Sequence, residues 1–308
     1  MRSRLRGNVR GGAADLRVNA ASEISGEIGE DEACRLEAGE RFRVLSDLHL
    51  GHDQSVIRRV GDLRPLLVGG GTVVFNGDTF EERAPCYREK SAGMLEELME
   101  LCREEGVRPV MVSGNHDPER WGRDAVDAVG GRMYVTHGHV LLRLVSPWSS
   151  KLRGCREEIE AMLAAAGEWE RLTLGERYEL TRAVCLRMPP SETRQGSQSI
   201  AAKVGLLMRE VWPPMRPWEV MKVWAGLPRL ASEFAGRYRP GAKAVVFGHT
   251  HRAALWRRGG RWLVNTGGFV TFSRPWRVTW DGEGMVIERI RVKGGAFGLD
   301  GKRVVALG

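Results

Sequence analysis

Seven histidines occur in the 308-residue chain, and all of them fall in short polar turns that follow apolar runs. His49 and His52 share one turn, His116 holds another, His137 and His139 a third, and His249 and His251 a fourth. Asp47, Asp78 and Asn115 occupy equivalent places after the same kind of run. Imidazole, carboxylate and amide oxygen suit Mn, Fe, Zn or similar ions better than metals that prefer thiolate. One carboxylate can bridge two cations. A pair of cations ~3.5–4 Å apart can clamp a hydroxide and polarise a phosphoryl oxygen, and it neutralises charge that develops during an in-line displacement. A lone histidine at a strand end is most simply structural; five turns that each offer ligands are read as one site.

These turns need elements that deliver them to one edge. Val110-Met111-Val112, flanked by Pro109 and Pro118, is too short for a helix and reads as a buried strand running into Ser113-Gly114-Asn115-His116-Asp117. Phe42–Ser46 and Thr72–Asn76 read as two further strands before Asp47 and Asp78, and Met133–Thr136 as the strand before His137. The spacing predicts helices over Val56–Leu67 and Tyr87–Glu105, the latter stopped by Gly106, and a short helix near Trp121–Val129. Strand–helix alternation predicts a largely parallel α/β sheet with right-handed crossovers, whose sites lie at the carboxyl ends of the strands.

From about residue 150 to 240 the pattern changes to amphipathic helices, expected over Cys155–Ala166, Glu168–Leu186, Ser199–Trp212 and Trp218–Tyr238. Half of the ten tryptophans fall here or just before it (Trp148, Trp169, Trp212, Trp218, Trp224), with many arginines. The stretch reads as an inserted helical cap at 150–240, splitting a main domain into 41–149 and 241–308. Lys243–Phe247 resumes the sheet and leads to His249 and His251. Short strands follow at Ala253–Trp256, Trp262–Asn265, Trp276–Trp280 and Met285–Val292, with a terminal one at Arg303–Leu307. Residues 1–40 lack a sustained period and read as a disordered tail, a basic arm followed by an acidic patch.

Composition bounds the class. The net charge of +8 favours an anionic partner, a phosphorylated substrate or an anionic membrane surface, and leaves nucleic acid open although no aromatic–basic module is visible. Five scattered cysteines without a C-x-x-C read as reduced thiols of a cytoplasmic protein. No stretch approaches the ~20 apolar residues of a membrane span. No apolar run follows the N-terminal arginines, so a secretory signal is not expected. Peripheral membrane contact is compatible with both.

The motifs D-x-H (Asp47, His49), G-D-x-x-E (Gly77, Asp78, Glu81), G-N-H-D (Gly114–Asp117), H-G-H (His137–His139) and G-H-T-H (Gly248–His251), in this order, resemble the calcineurin-like metallophosphoesterase superfamily. The resemblance covers roughly residues 42–270 apart from the helical stretch. It implies a β-sandwich of two mixed sheets flanked by helices, with two divalent metal ions at one edge, Mn first and Fe, Zn or Mg as alternatives. By the same resemblance Asp47, His49 and His251 would bind one ion, Asn115, His137 and His249 the other, and Asp78 both. His116 would contact the phosphate and protonate the leaving oxygen, with Asp117 orienting its ring. A metal-bridging hydroxide would be the nucleophile. His52 and His139 match no ligand position.

The Ser46–Gly51 and Gly77–Glu81 segments, with helices inserted before Gly248, look like the branch containing UDP-2,3-diacylglucosamine hydrolase, which implies a pyrophosphate-bearing lipid substrate. A Trp- and Arg-rich cap suits an acylated anion. Many members of that branch carry Arg where His116 stands and Asp where His139 stands. A general phosphodiesterase, a nucleotide phosphatase and a nuclease fit the same core, and an inactive metal-binding scaffold is the alternative from another class.

Overall fold

The computed structural model describes residues 34–119, 122–149, 151–190, 215–293 and 296–307. Twelve strands form two six-stranded sheets. One has the order β12–β11–β10–β2–β3–β4 and the other β1–β5–β6–β7–β9–β8. In the first, β2 (Phe42–Leu45), β3 (Gly71–Asn76) and β4 (Val107–Val112) run parallel, while β10 (Trp276–Trp280), β11 (Met285–Lys293) and β12 (Ala296–Val305) extend it antiparallel. In the second, β6 (Met133–Thr136), β7 (Ala244–Phe247) and β9 (Arg261–Asn265) are parallel neighbours. There β1 (Cys34–Leu36) pairs with β5 (Ala125–Ala128), β5 runs antiparallel to β6, and β8 (Ala254–Arg258) runs antiparallel to β9.

The alternation of side chains along each strand dictates this layering. Val74 and Val246 point between the sheets and join Val44, Val110, Val126, Val135, Val264 and Trp280 in one core. Their neighbours point outward. Val73 and Phe75 meet Met94, Leu98 and Leu101 of helix α1 (Pro85–Glu104). Val245 and Phe247 meet Leu227, Ala231 and Phe234 of helix α4 (Met215–Tyr238). Each fully buried Val, Leu or Phe contributes roughly 1.5–3 kcal/mol, so strands apolar on both faces need helices on both outer sides.

Several expectations are corrected by tertiary contacts. The sheet is not largely parallel throughout; its parallel runs are shared between two mixed sheets, and the C-terminal meander is divided between them. Val56–Leu67 forms only a 3-10 turn at Val60–Leu63 and a helical turn at Arg64–Leu67. Ser55 bridges to Val270, Val56 N–H donates to the Phe269 carbonyl at 2.7 Å, and Pro65 has no N–H for a longer helix. Within Trp121–Val129, Ala125–Ala128 is strand β5 instead of helix, because Val126 and Ala128 fill the inner core while β5 ties β1 to β6. Cys34–Leu36, inside the stretch read as a tail, is strand β1, and residues 1–33 lie outside the described residues.

Of the helices expected between 150 and 240, helix α2 is Leu152–Ala165 and helix α3 is Leu174–Arg187. The latter starts six residues late because Thr173 and Glu176 form a capping box. Ser199–Trp212 lies outside the described residues. Val145, Leu152, Ile159, Leu163, Val184 and Cys185 bury a small core between α2 and α3. All five cysteines are free. Among the described residues no helix is long and apolar enough to cross a membrane.

Candidate metal centre

The turns after β2, β3, β4, β6 and β7 converge at one edge of the sandwich. Among the described residues, five of the eight non-glycine residues with positive φ are Asp47, His49, Asp78, His249 and His251. That conformation costs of order 1–3 kcal/mol per residue and persists where the surroundings over-determine it. Glycines allow the turns to close. A Cβ on Gly248 would lie 2.1 Å from an Asp47 carboxylate oxygen, one on Gly114 would lie 2.3 Å from Asp78 Oδ1, and one on Gly77 would lie 2.4 Å from His137 Cγ.

Two groups of potential ligand atoms share one carboxylate. Asp47, His49, Asp78 and His251 form one, and Asp78, His137 and His249 the other, with the atoms of each within 4.8 Å of one another. Three of the four imidazoles are held from behind. His49 Nδ1 is 2.8 Å from Glu81 Oε1, so Nε2 faces inward, 3.1 Å from His251 Nε2. His251 Nε2 also lies 3.2 Å from Asp47 Oδ1. His137 Nδ1–H donates to the Asn76 carbonyl at 2.9 Å, leaving Nε2 at 3.3 Å from both Asp78 Oδ2 and Asn115 Oδ1. His249 Nε2–H donates to the Val145 carbonyl at 2.8 Å, while its buried Nδ1 has no hydrogen-bond partner. A buried imidazole nitrogen with a free lone pair, grouped with carboxylate oxygens, is suited to ligate a cation, so these donors fit divalent metal.

Buried carboxylates and imidazoles shift one another strongly in this centre. Burial pushes the Asp78 carboxyl up, but His137, His116 and His49 outweigh it and hold it well below its ordinary value. Burial pulls His137 down, yet Asp78 and Asp47 raise it to about 10. Burial, with His137 beside it, lowers His249 to about 4 and keeps its ring neutral, the form that ligates.

The outer part of the centre corrects one assignment and adds a residue. Asp117 does not touch the His116 ring. Its Oδ1 accepts the backbone N–H of Gly114 at 2.7 Å and of Asp78 at 3.0 Å, and its Oδ2 accepts that of Thr79 at 2.8 Å. It is a buried staple between two turns. Glu81 holds the ring instead, with Oε2 2.8 Å from His116 Nδ1. Burial pushes Glu81 up, but His116 and His49 hold it far below the usual carboxylate range. Burial lowers His116, while Glu81 and Asp78 raise it to about 9. The His116 side chain is one-third exposed and opens to solvent. Glu81 stands in the G-D-x-x-E motif, so its position was visible even though its role was not.

The remaining polar candidates serve elsewhere. His52 Nδ1 accepts the Gln54 N–H at 3.1 Å and its ring packs on Tyr87, with centroids 4.5 Å apart. His139 is buried against His137 with an unpartnered Nδ1, outside the ligand groups found among the described residues. Beside His249 and His251 opens a cleft of about 930 Å³ whose walls include Trp148, Trp224, Trp276, Arg252, Arg274 and Arg289. Arg252 lies over the Trp224 ring at 4.5 Å.

Among solved structures, the chain is similar to wild-type Vps29 complexed with zinc from Entamoeba histolytica, at 12% identity and a TM-score of 0.38, covering 87% of this chain and 99% of that one. It is also similar to a predicted phosphoesterase from Streptococcus pneumoniae (16%, TM-score 0.32, 86% and 98%). A cold-active protein-tyrosine phosphatase of a psychrophilic Shewanella gives 12%, a TM-score of 0.41, and coverage of 90% and 84%. No curated protein matches. The family model for calcineurin-like phosphoesterases matches residues 40–253, a span that holds every ligand candidate named above. The chain therefore belongs to the calcineurin-like phosphoesterase family, metal-dependent hydrolases of phosphoesters.

Proposed function

We propose that this phosphoesterase is a dinuclear hydrolase of phosphoester or pyrophosphate bonds. Asp47, His49 and His251 would hold one divalent cation, Asn115, His137 and His249 the other, and Asp78 both. The observation that carries the reading is the pair of ligand groups sharing Asp78, one of them with a buried His249 Nδ1 that has no hydrogen-bond partner. Bound cations, Mn first by the family resemblance, would supply Lewis acidity toward a phosphoryl oxygen and an activated water. The chain's own part is positioning. Carbonyls and Glu81 orient the His49, His116, His137 and His249 rings, the buried carboxylates compensate positive charge, and His116 presents a proton at the open face for the leaving oxygen.

The cleft supports an extended anionic substrate over a small one. Arg274 and Arg289 are exposed and form no ion pair among the described residues, and three tryptophan faces lie beside them. A UDP-diacylglucosamine-like lipid, met at an anionic membrane surface by a cytoplasmic enzyme, is the substrate this reading favours.

The test is metal content together with hydrolysis of bis-p-nitrophenyl phosphate, p-nitrophenyl phosphate and a UDP-sugar lipid, in the wild type and in Asp78→Ala. About two metals per chain and Mn-stimulated turnover, both lost in the variant, are expected. The preferred substrate then separates lipid pyrophosphatase from diesterase and phosphatase. A folded, metal-free and inert wild type leaves the scaffold alternative standing.

A further inference from the structure

Helix α3 belongs to the inserted stretch and supplies no ligand, yet it is bonded to three of the segments that build the centre. Its Tyr178 Oη is 2.8 Å from Thr136 Oγ1 and 2.8 Å from Tyr134 Oη, on the strand that ends at His137. Its Arg177 Nε donates to the Val140 carbonyl at 3.2 Å, just beyond His139. Its Arg182 donates to the Pro118 carbonyl at 2.6 Å and pairs with Asp124, gripping the turn that carries His116. Arg83 reaches the other way, from the turn that carries Glu81. Its guanidinium donates to the carbonyls of Cys185, Leu186 (2.7 Å) and Met188 (3.0 Å) at the end of α3. Those carbonyls lack intrahelical partners and carry the negative end of the helix dipole, so a cation there is doubly favourable.

The two gripped turns also hold each other. His116 N–H donates to Asp78 Oδ1 at 2.8 Å, the Glu82 N–H to the His116 carbonyl at 3.3 Å, and the Glu119 N–H to Glu82 Oε2 at 3.1 Å. The His116–Glu81 pair thus sits on two turns laced together on one side and clamped to α3 on the other. The Arg182 side chain is only 12% exposed, so water is poorly placed to replace it at the Pro118 carbonyl.

We infer that Arg182 and Arg83 are positioning residues, and that α3 is a backing element that fixes the proton-donating His116 and its Glu81 partner before substrate arrives. This rests on the proton-donor reading of His116. Misplacing a reacting group by ~1 Å can cost 10²-fold, so loosening the turn has a chemical signature. A poor leaving group needs the proton; a good one does not.

The experiment compares cleavage of phenyl and p-nitrophenyl phosphate esters by the metal-loaded wild type, Arg182→Met, Arg182→Lys, Arg83→Met and Asp124→Asn. Amide hydrogen exchange across residues 114–119 is followed in the metal-free chains. Arg182→Met and Arg83→Met are expected to slow the phenyl ester about 10-fold or more through kcat, to leave the p-nitrophenyl ester within about threefold, and to speed exchange in the 114–119 turn. Arg182→Lys restores part of the loss, because one donor still reaches the Pro118 carbonyl. Asp124→Asn, which keeps that contact, stays near wild type. Unchanged exchange, or an equal loss on both esters, overturns the inference. His116→Asn separates the two layers: if it too treats both esters alike, the proton-donor reading falls, and the exchange rates alone decide the role of Arg182.

Discussion

The two halves of the centre each rest on two histidines and share Asp78, but they are supported differently. In the deep half, His137 and His249 are buried and each is oriented by a main-chain carbonyl, of Asn76 and of Val145. In the open half, the His251 side chain is one-third exposed, and His49 is oriented by the Glu81 carboxylate. A carbonyl on a strand end or tight turn moves only with the backbone, whereas a carboxylate side chain can turn away, change charge or be shared. Here it is shared, since Glu81 also holds His116. On the proposed assignment the deep half would hold its ion longer, and the open half would be coupled to His116 through Glu81.

The largest effect should come from removing one ligand in each half. His249→Ala and His251→Ala should each bind about one metal per chain, but chelator should strip the remaining ion faster from His249→Ala, whose intact half is the open one. Metal content followed against time in EDTA reads this directly, and equal rates in the two variants would break the comparison. A smaller effect is expected from Glu81→Gln. The amide can still accept a hydrogen bond but loses the charge that orients both rings, so turnover should fall about 10–100-fold. The deep ion should stay in place, and losing both ions would show that the halves are not separable.

The smallest effect concerns Glu82, next to that shared carboxylate. Burial raises it to about 8 from an ordinary 4.5, with the charges of Glu119 and Asp117 adding to the rise and the Glu119 N–H opposing it. The folded state then holds a proton that the unfolded chain releases. The stabilisation is complete below about 4.5 and is lost as pH rises through about 8. Glu82→Gln should remove that decline, so its Tm should exceed that of the wild type increasingly between pH 5 and 9. A parallel pair of Tm profiles would place the acid in solvent.

The ligand candidates were legible because their chemistry is local. A histidine or aspartate directly after a β-branched run can only lie at a strand end, and seven histidines confined to such turns point to one edge. Strands β3 and β7 were legible as buried apolar runs, but which face turns inward was not, because both faces are apolar. The partner of His116 was not legible either. Asp117 is adjacent in sequence and Glu81 is 35 residues away, yet the turn aims Asp117 inward at three backbone N–H groups and leaves the ring to Glu81. The fate of Ala125–Ala128 was equally hidden, since four small or mixed residues carry little preference until β1 and β6 offer pairing on both sides.

The amino-acid sequence by itself determined which residue types stand at the strand ends, and so the metal-binding chemistry and the class of bond attacked. Tertiary structure alone decided how the strands divide between two sheets, which acid serves which imidazole, and that helix α3 is bonded to the turns carrying His116 and Glu81. Periodicity and residue type act over a few positions, whereas pairing order, ring orientation and the reach of Arg83 and Arg182 depend on groups brought together only when the two sheets close on their shared core.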